Sequence, residues 1–260
     1  MDSKDEGAVV ELAMLAGHIL LDNGAEIFRV EEVIQRICDH YQVTSVNEFV
    51  LSNGIFITVG SSVEPAFARV EHIPVSGTHL DKVAAIDRLA DEIDMGLYTV
   101  EEATAKAEEI RRRPEVSRML RCLASGLGSA AFCCLFGGDL ADSACAFGAG
   151  FILYLFMLYV SGPHLSKIVG NLIGSLLVTL ICAFFYLFVP GRHMNFMIIG
   201  SIMPLVPGVA FVNAIRDIAD GDYISGAVRM LDAMLIFVCI AIGVGFGIDI
   251  ISRLSGGALL

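Results

Sequence analysis

Two kinds of hydrophobic pattern meet near residue 115. Before it, apolar residues recur every three or four positions or alternate; after it, they run almost unbroken. Val9, Leu12, Ala13, Ala16, Ile19 and Leu20 share one face of a helix, and Asn23-Gly24 supplies its stop. A second helix starts at about Ala25, with Glu26 in its first turn, where the helix dipole favours a carboxylate. Its apolar stripe is Val30, Val33, Ile34, Ile37 and Tyr41. Val46–Leu51 and Ile55–Val59 have strand character on either side of Ser52-Asn53-Gly54, a strong hairpin signal. Ala66–Ile73 makes a third strand, and Leu80–Met95 and Val100–Arg113 make two charged amphipathic helices. Residues 1–114 therefore form a small α+β domain.

Residues 115–260 hold five apolar segments: Met119–Phe136, Leu140–Val160, Leu165–Val189, Met194–Ile215 and Ile224–Ile251. A bilayer core needs about 20 helical residues, so each can cross once, the first with little to spare. The expected architecture is an all-α bundle of five transmembrane helices behind the α+β domain. The fourth segment carries Pro204, Pro207 and Gly208 near its middle. Proline removes a backbone donor and clashes with the preceding turn, so this helix must break or kink. Opened backbone at that depth is tolerated only inside protein or beside a wet cavity, and a broken helix there is the usual address of a transported ligand. A kink used only for packing is the plainer alternative.

Charge sharpens the division. Of 29 Asp/Glu and 17 Lys/Arg, 22 and 11 lie at or before Arg118, which leaves the rest nearly stripped of charge. A mean hydropathy of +0.71 with 55% hydrophobic residues excludes an ordinary soluble protein. Arg111, Arg112, Arg113, Arg118 and Arg121 precede the first crossing. Five crossings then put Lys167, Arg216 and Arg229 on the same side and Arg192 and Arg253 on the other. Eight basic residues against two give a multi-pass inner-membrane protein with a cytoplasmic N-terminal domain and an external C-terminus. The acidic start Met1-Asp-Ser-Lys-Asp-Glu lacks the features of a signal peptide. Nothing suggests nucleic acid as a partner.

Six of seven cysteines fall in apolar segments as small hydrophobes, and no Cys/His spacing suggests a metal. The first domain offers His18, Glu26, Arg29, Glu31, Glu32, Cys38, His40, His72 and His79, but no catalytic spacing. Arg29 with Glu26 or Glu32 is first a helix-surface pair. In the apolar half, Asn171, Ser175 and Thr179 share one helix face, while Asn213, Arg216 and Asp217 close the broken helix. Asp232, three residues beyond Arg229, is either its neutralising neighbour or a proton-accepting group. Gly170…Gly174 and Gly243…Gly247 have the four-residue spacing that lets helix backbones approach closely.

Ala16-Gly-His-Ile-Leu-Leu-Asp-Asn-Gly24-Ala-Glu26, followed by Arg29-Val-Glu31, resembles the opening of the threonine/serine exporter family. Leu205-Val-Pro-Gly208, Asn213-Ala-Ile-Arg-Asp217, Gly221, Gly226 and Arg229 resemble that family's fourth-helix signature and the loop after it. The resemblance covers nearly the whole chain in order. Full-length members carry a second membrane half, so this chain resembles the larger, N-terminal-type subunit of the split form, whose partner is a small membrane protein. In some bacteria such a pair is associated with succinate export. The resemblance thus implies efflux of a small polar metabolite, an amino acid of the threonine/serine type or a dicarboxylate, with proton coupling expected and no cofactor. Within it, Pro204, Pro207, Gly208, Asn213, Asn171 and Ser175 are the candidate substrate path, and Asp217, Asp232, Arg216 and Arg229 the candidate charge or proton partners. Glu26, Arg29 and Glu31 are the candidate cluster of the N-terminal domain. A homo-oligomer is the alternative to the separate partner, and an odd number of helices cannot hold a complete inverted repeat. Two other function classes stay open: a membrane-anchored enzyme with a hydrolase-like domain, and a non-transporting assembly subunit.

Overall fold

Helix α1 (Ser3–Asp22) is buried on nearly every side along Val9–Leu21 and forms the axis of the N-terminal layer. Around it pack α2 (Ile27–His40), α3 (Leu80–Asp94), α4 (Val100–Arg111) and an antiparallel sheet in the order β1 (Val46–Leu51), β2 (Gly54–Gly60), β3 (Pro65–His72). Gly17 permits close packing of α1 against α2 and β2, because a Cβ there would come 2.9 Å from Ile34 Cδ1 and 3.0 Å from Ile55 Cδ1. Ser52-Asn53 closes the expected hairpin, with Leu51 opposite Gly54 and Val46 opposite Val59. Val50, Ile55, Ile57 and Val59 face the core, whereas Phe49, Phe56 and Val70 lie on the open face. Helix α4 starts with a capping box in which Thr99 and Glu102 exchange bonds. The computed structural model describes residues 3–43, 45–60, 65–73, 78–114, 116–161, 164–188 and 193–254.

The remaining helices are α5 (Arg118–Leu135), α6 (Leu140–Phe156, continued by a π-helical turn Met157–Ser161), α7 (Lys167–Phe188), α8 (Met194–Ile202), α9 (Gly208–Ala219) and α10 (Tyr223–Leu254). Among the described residues, three spans are long and apolar enough to cross a membrane: Leu140–Ser161, Lys167–Phe188 and Tyr223–Leu254. The bent pair Met194–Leu205 and Gly208–Ala219 makes a fourth if it crosses as one. Five crossings were expected. The first segment is helical over 18 residues, but Arg118 and Arg121 occupy its opening turn, and it is not among the helices apolar enough to count as a span.

The chain divides into two compact units, residues 1–114 with 208–231 and residues 115–207 with 232–260. In the second unit, small and polar residues lie inside: Ser129, Ser175, Thr179 and Ser201 are fully buried beside Ala149, Leu153, Val178 and Cys182. Large apolar side chains lie outside, among them Phe184, Phe188, Val238 and Phe246. This inverted distribution suits lipid, where helices associate through small-residue packing. Gly243 and Gly247 of α10 meet α7 with no room for a side chain, since a Cβ on Gly243 would fall 2.0 Å from Ser175 Oγ and 2.4 Å from the Leu172 carbonyl. Arg192, expected on the outer side, lies outside the described residues.

Candidate functional site

The turn joining α1 to α2 is built from Asn23, Gly24, Ala25 and Glu26. Gly24 takes a positive φ of 84°, and Ala25 N–H returns to the Leu20 carbonyl at 3.0 Å, which ends α1. Asn23, 3% exposed, fixes the turn by donating from its amide to the Ile19 carbonyl at 2.6 Å. Glu26 is the N-cap of α2 in extended conformation, yet its side chain caps nothing, and the first turn of α2 has no acidic residue. The dipole-favoured carboxylate comes instead from Asp217, whose Oδ1 accepts the Ile27 N–H at 3.2 Å.

Asn213, Arg216 and Asp217 follow at spacings of three and four and so share one face of α9. Asn213 donates its amide to the Gly24 carbonyl at 2.9 Å, and Arg216 pairs with the Glu26 carboxylate. The chain reverses at Gly221, φ 101°, and Gly226 lets the start of α10 lie against α9, because a Cβ there would come 2.5 Å from Ile218 Cγ1. That approach brings in Arg229. Its Nη2 donates to the Ala25 carbonyl at 3.0 Å, while Nη1 lies 3.0 Å from Asp217 Oδ2. The latter contact is an ion pair off the N–H line, so Oδ2 accepts no hydrogen bond although Asp217 is only 1% exposed. All these residues belong to the first compact unit.

The structure therefore gathers Glu26, Asn213, Arg216, Asp217 and Arg229 around one turn. Arg29 is not paired with Glu26 or Glu32; it reaches across to Asp87 of α3 at 2.8 Å, because α2 and α3 are packed neighbours. Glu31 accepts weakly from Val50 N–H at 3.4 Å. Burial first, and then the negative charge of Asp222, push its carboxyl above the usual range. Asp232 is not the partner of Arg229. It pairs with Lys167 at 2.6 Å, both side chains half exposed, and the nearer carboxylate of Asp217 takes the arginine.

The expected interruption of the fourth segment is present. Met203–Leu205 tightens into a 3-10 turn around Pro204, Val206 turns extended at φ −67°, ψ 122°, and the helix resumes at Gly208 after Pro207. Nothing lies within 4 Å of where a Cβ on Gly208 would stand. The polar face of α7 is committed to its own helix: Asn171 donates to the Lys167 carbonyl at 2.8 Å, Ser175 to Leu172 at 3.0 Å and Thr179 to Ser175 at 2.9 Å.

Two further clusters have plainer accounts. Asp139, Asp142 and His193 place one ligand atom each within 4.8 Å of one another. Both oxygens of the buried Asp142 already accept N–H groups, Oδ1 from His193 N and Oδ2 from Asp139 N, with His193 Nδ1 at 2.9 Å. Asp139 caps Ala141 and Asp142. Asp139 and Asp142 start α6 and His193 precedes α8, so the trio sits at two helix N-termini, whose dipoles oppose a cation. An open cleft of about 490 Å³ is lined by Gln35, Cys38, Asp39, Gln42 and Glu48. Burial pushes the Cys38 thiol up to about 12, which leaves it a poor nucleophile. The sequence reading missed the capping pair Asp139/Asp142, whose three-residue spacing is its signal, whereas the carbonyls of Gly24 and Ala25 and the Ile27 N–H carry no side-chain signal.

A family profile described as "Putative threonine/serine exporter" matches residues 11–251. The chain belongs to that family. Members of it are transporters, and the chain is accordingly a membrane protein of an exporter family, with apolar helices to match. It is 23% identical over 256 residues to the "Threonine/serine exporter" of Corynebacterium glutamicum, covering 96% of this chain and 52% of that protein. It is 25% identical over 254 residues to the "Probable succinate transporter subunit YjjP" of Escherichia coli, covering 96% of this chain and 97% of that one. "Pheromone-regulated membrane protein 10" of Debaryomyces hansenii is 24% identical over 188 residues, covering 70% of this chain and 19% of that protein. The chain thus spans a fifth to a half of some relatives and nearly all of another. No solved structure matches.

Proposed function

We propose that this chain is one subunit of an inner-membrane exporter for a small metabolite carrying a carboxylate, a threonine/serine-type amino acid or a dicarboxylate such as succinate. A small second membrane subunit completes it, as the word subunit in the Escherichia coli relative's description suggests. The observation that carries the reading is the joint itself. Side chains from the helix that follows the Pro204–Pro207 break are bonded to a turn of the N-terminal layer, an arrangement that lets one respond to the other. The N-terminal layer lies on the cytoplasmic side in this reading, the C-terminus lies outside, and export is coupled to protons. Pro204, Pro207 and Gly208 open the backbone, Asn213 faces substrate, and Asp217 with Arg216 and Arg229 supplies charge.

The test is reconstitution of the full chain in vesicles, with and without a small membrane protein encoded beside it, and efflux of labelled threonine, serine and succinate. At least one should be exported, and only with the partner; absence of export for all three in both arrangements rules the reading out. Proton coupling requires that efflux driven by a pH gradient collapse on addition of an uncoupler, and indifference to the uncoupler removes that part alone.

A further inference from the structure

We propose that the seat now filled by Asp217 is a receptor for a free carboxylate, with the Asp217 side chain as its resident occupant and competitor. The inference rests on the exporter reading for its biological meaning, but its physical basis is local. The first N–H of α2 points at a carboxylate contributed from 190 residues away. Its own N-cap side chain, Glu26, is turned to Arg216 instead. Helix N-termini bind anions through such N–H groups, and guanidinium groups beside them add charge-assisted hydrogen bonds. Here the Ile27 N–H and the Arg229 guanidinium flank the carboxylate, with the Asn213 amide and Arg216 on the same face of α9.

Asp217 fits this seat poorly. A carboxylate has about four acceptor sites. Asp217, 1% exposed, receives one N–H bond of 3.2 Å on Oδ1 and none on Oδ2, where Arg229 Nη1 approaches at 3.0 Å off the bond line. The side chain is tethered to α9 and in this seat leaves Oδ2 without a hydrogen bond. A free carboxylate is not tethered; it can take the Ile27 N–H and Arg229 along their bond directions. Threonine, serine and succinate, for which the relatives are named, have a carboxylate as their shared group. Ligand entry would expel Asp217 and so remove one of the three bonds that tie α9 to the turn before α2. Arg216, half exposed and paired with Glu26, is placed to take the second carboxylate of a dicarboxylate.

The test uses the purified full chain in detergent and measures binding of sodium formate, sodium succinate and L-threonine by calorimetry, with sodium chloride and succinamide as controls. Asp217→Ala empties the seat, so it should bind formate and succinate about 10-fold more tightly than the unaltered chain, as expected when a competing occupant is removed. Asp217→Ala with Arg229→Gln should lose that gain. Asp217→Asn keeps the shape of the occupant without its charge and should fall between; it carries the test if Asp217→Ala does not fold. Equal or weaker binding in the folded Asp217 variants, or an equal response to chloride or succinamide, overturns the proposal. Tighter succinate than threonine binding that disappears in Arg216→Gln identifies a dicarboxylate site; no preference identifies a single-carboxylate site. Absence of export in vesicles with the binding gain intact would refute the exporter reading and leave the receptor standing.

Discussion

On α7, Asn171, Ser175 and Thr179 each bond a carbonyl of their own helix, three or four residues back. On α9, Asn213 and Asp217 bond a turn about 190 residues earlier in the chain. Both faces are polar, regularly spaced and carried by apolar segments. The first face is self-sufficient, so its hydroxyls can be buried at little cost and pressed against glycines. The second is incomplete alone: Asp217 and Arg229 are buried groups that pair with each other and bond to the 24–27 turn. Polar residues in an apolar helix thus divide by where their bonds go, and only the second kind ties distant parts of the chain together.

Four substitutions would break or sharpen that contrast. The largest effect is expected for Arg229→Gln, which leaves Asp217 buried without its cation; losing one partner of such a pair costs about 3–5 kcal/mol. Thermal unfolding in detergent should show it, and adding Asp217→Asn should recover much of the loss. If Arg229→Gln alone is neutral, the pair does not hold the joint. On the other face, Gly243→Ala should cost about 1–3 kcal/mol through overpacking, because the new methyl meets the Leu172 carbonyl at 2.4 Å, backbone that cannot rotate away. A neutral result there would mean that the α7–α10 contact is looser than drawn. Ser175→Ala removes one bond within its own helix and should cost no more than about 1 kcal/mol, with export unchanged. Lost export at normal stability would instead make Ser175 a substrate contact.

The smallest effect depends on pH. Glu31 has a carboxyl raised by burial and by Asp222, so the folded chain holds its proton more tightly than the unfolded chain does. Ionising it therefore works against folding: stability from this group is present near and below its ordinary value of 4.5 and is lost as pH rises through the raised one. Glu31→Gln should raise the melting temperature at pH 7.5 and change it little at pH 4. A lower melting temperature at pH 7.5 would mean that the charged carboxylate is needed.

Local features were the most legible in the sequence. The Asn53-Gly54 signal marks the hairpin, the three- and four-residue periodicities mark the helices, and Pro204 and Pro207 mark the break, because each acts through its own backbone or its nearest turn. The four-residue glycine spacing in α10 foretold a close helix contact, although not its partner. What stayed hidden was long-range pairing. Asp232 is nearer to Arg229 in sequence than Asp217 is, but the reversal at Gly221 and the close approach at Gly226 bring Asp217 to it instead. Arg29 has carboxylates at helical spacing on either side and chooses one on another helix. The motif residues at 24–26 and 213–229 stand far apart in the sequence. Their union runs through main-chain groups, which every residue possesses and which no composition or spacing distinguishes.

The first compact unit is discontinuous, taking in residues 208–231 as well as the first 114. A ribosome making this chain releases α1, α2 and the sheet long before the carboxylate that caps α2 exists. The early layer must wait, with one helix start uncovered, while four further helices and the proline break are synthesised and placed. Its completion is therefore a late event in biogenesis, and an N-terminal fragment cut at residue 114 would lack a piece of its own architecture.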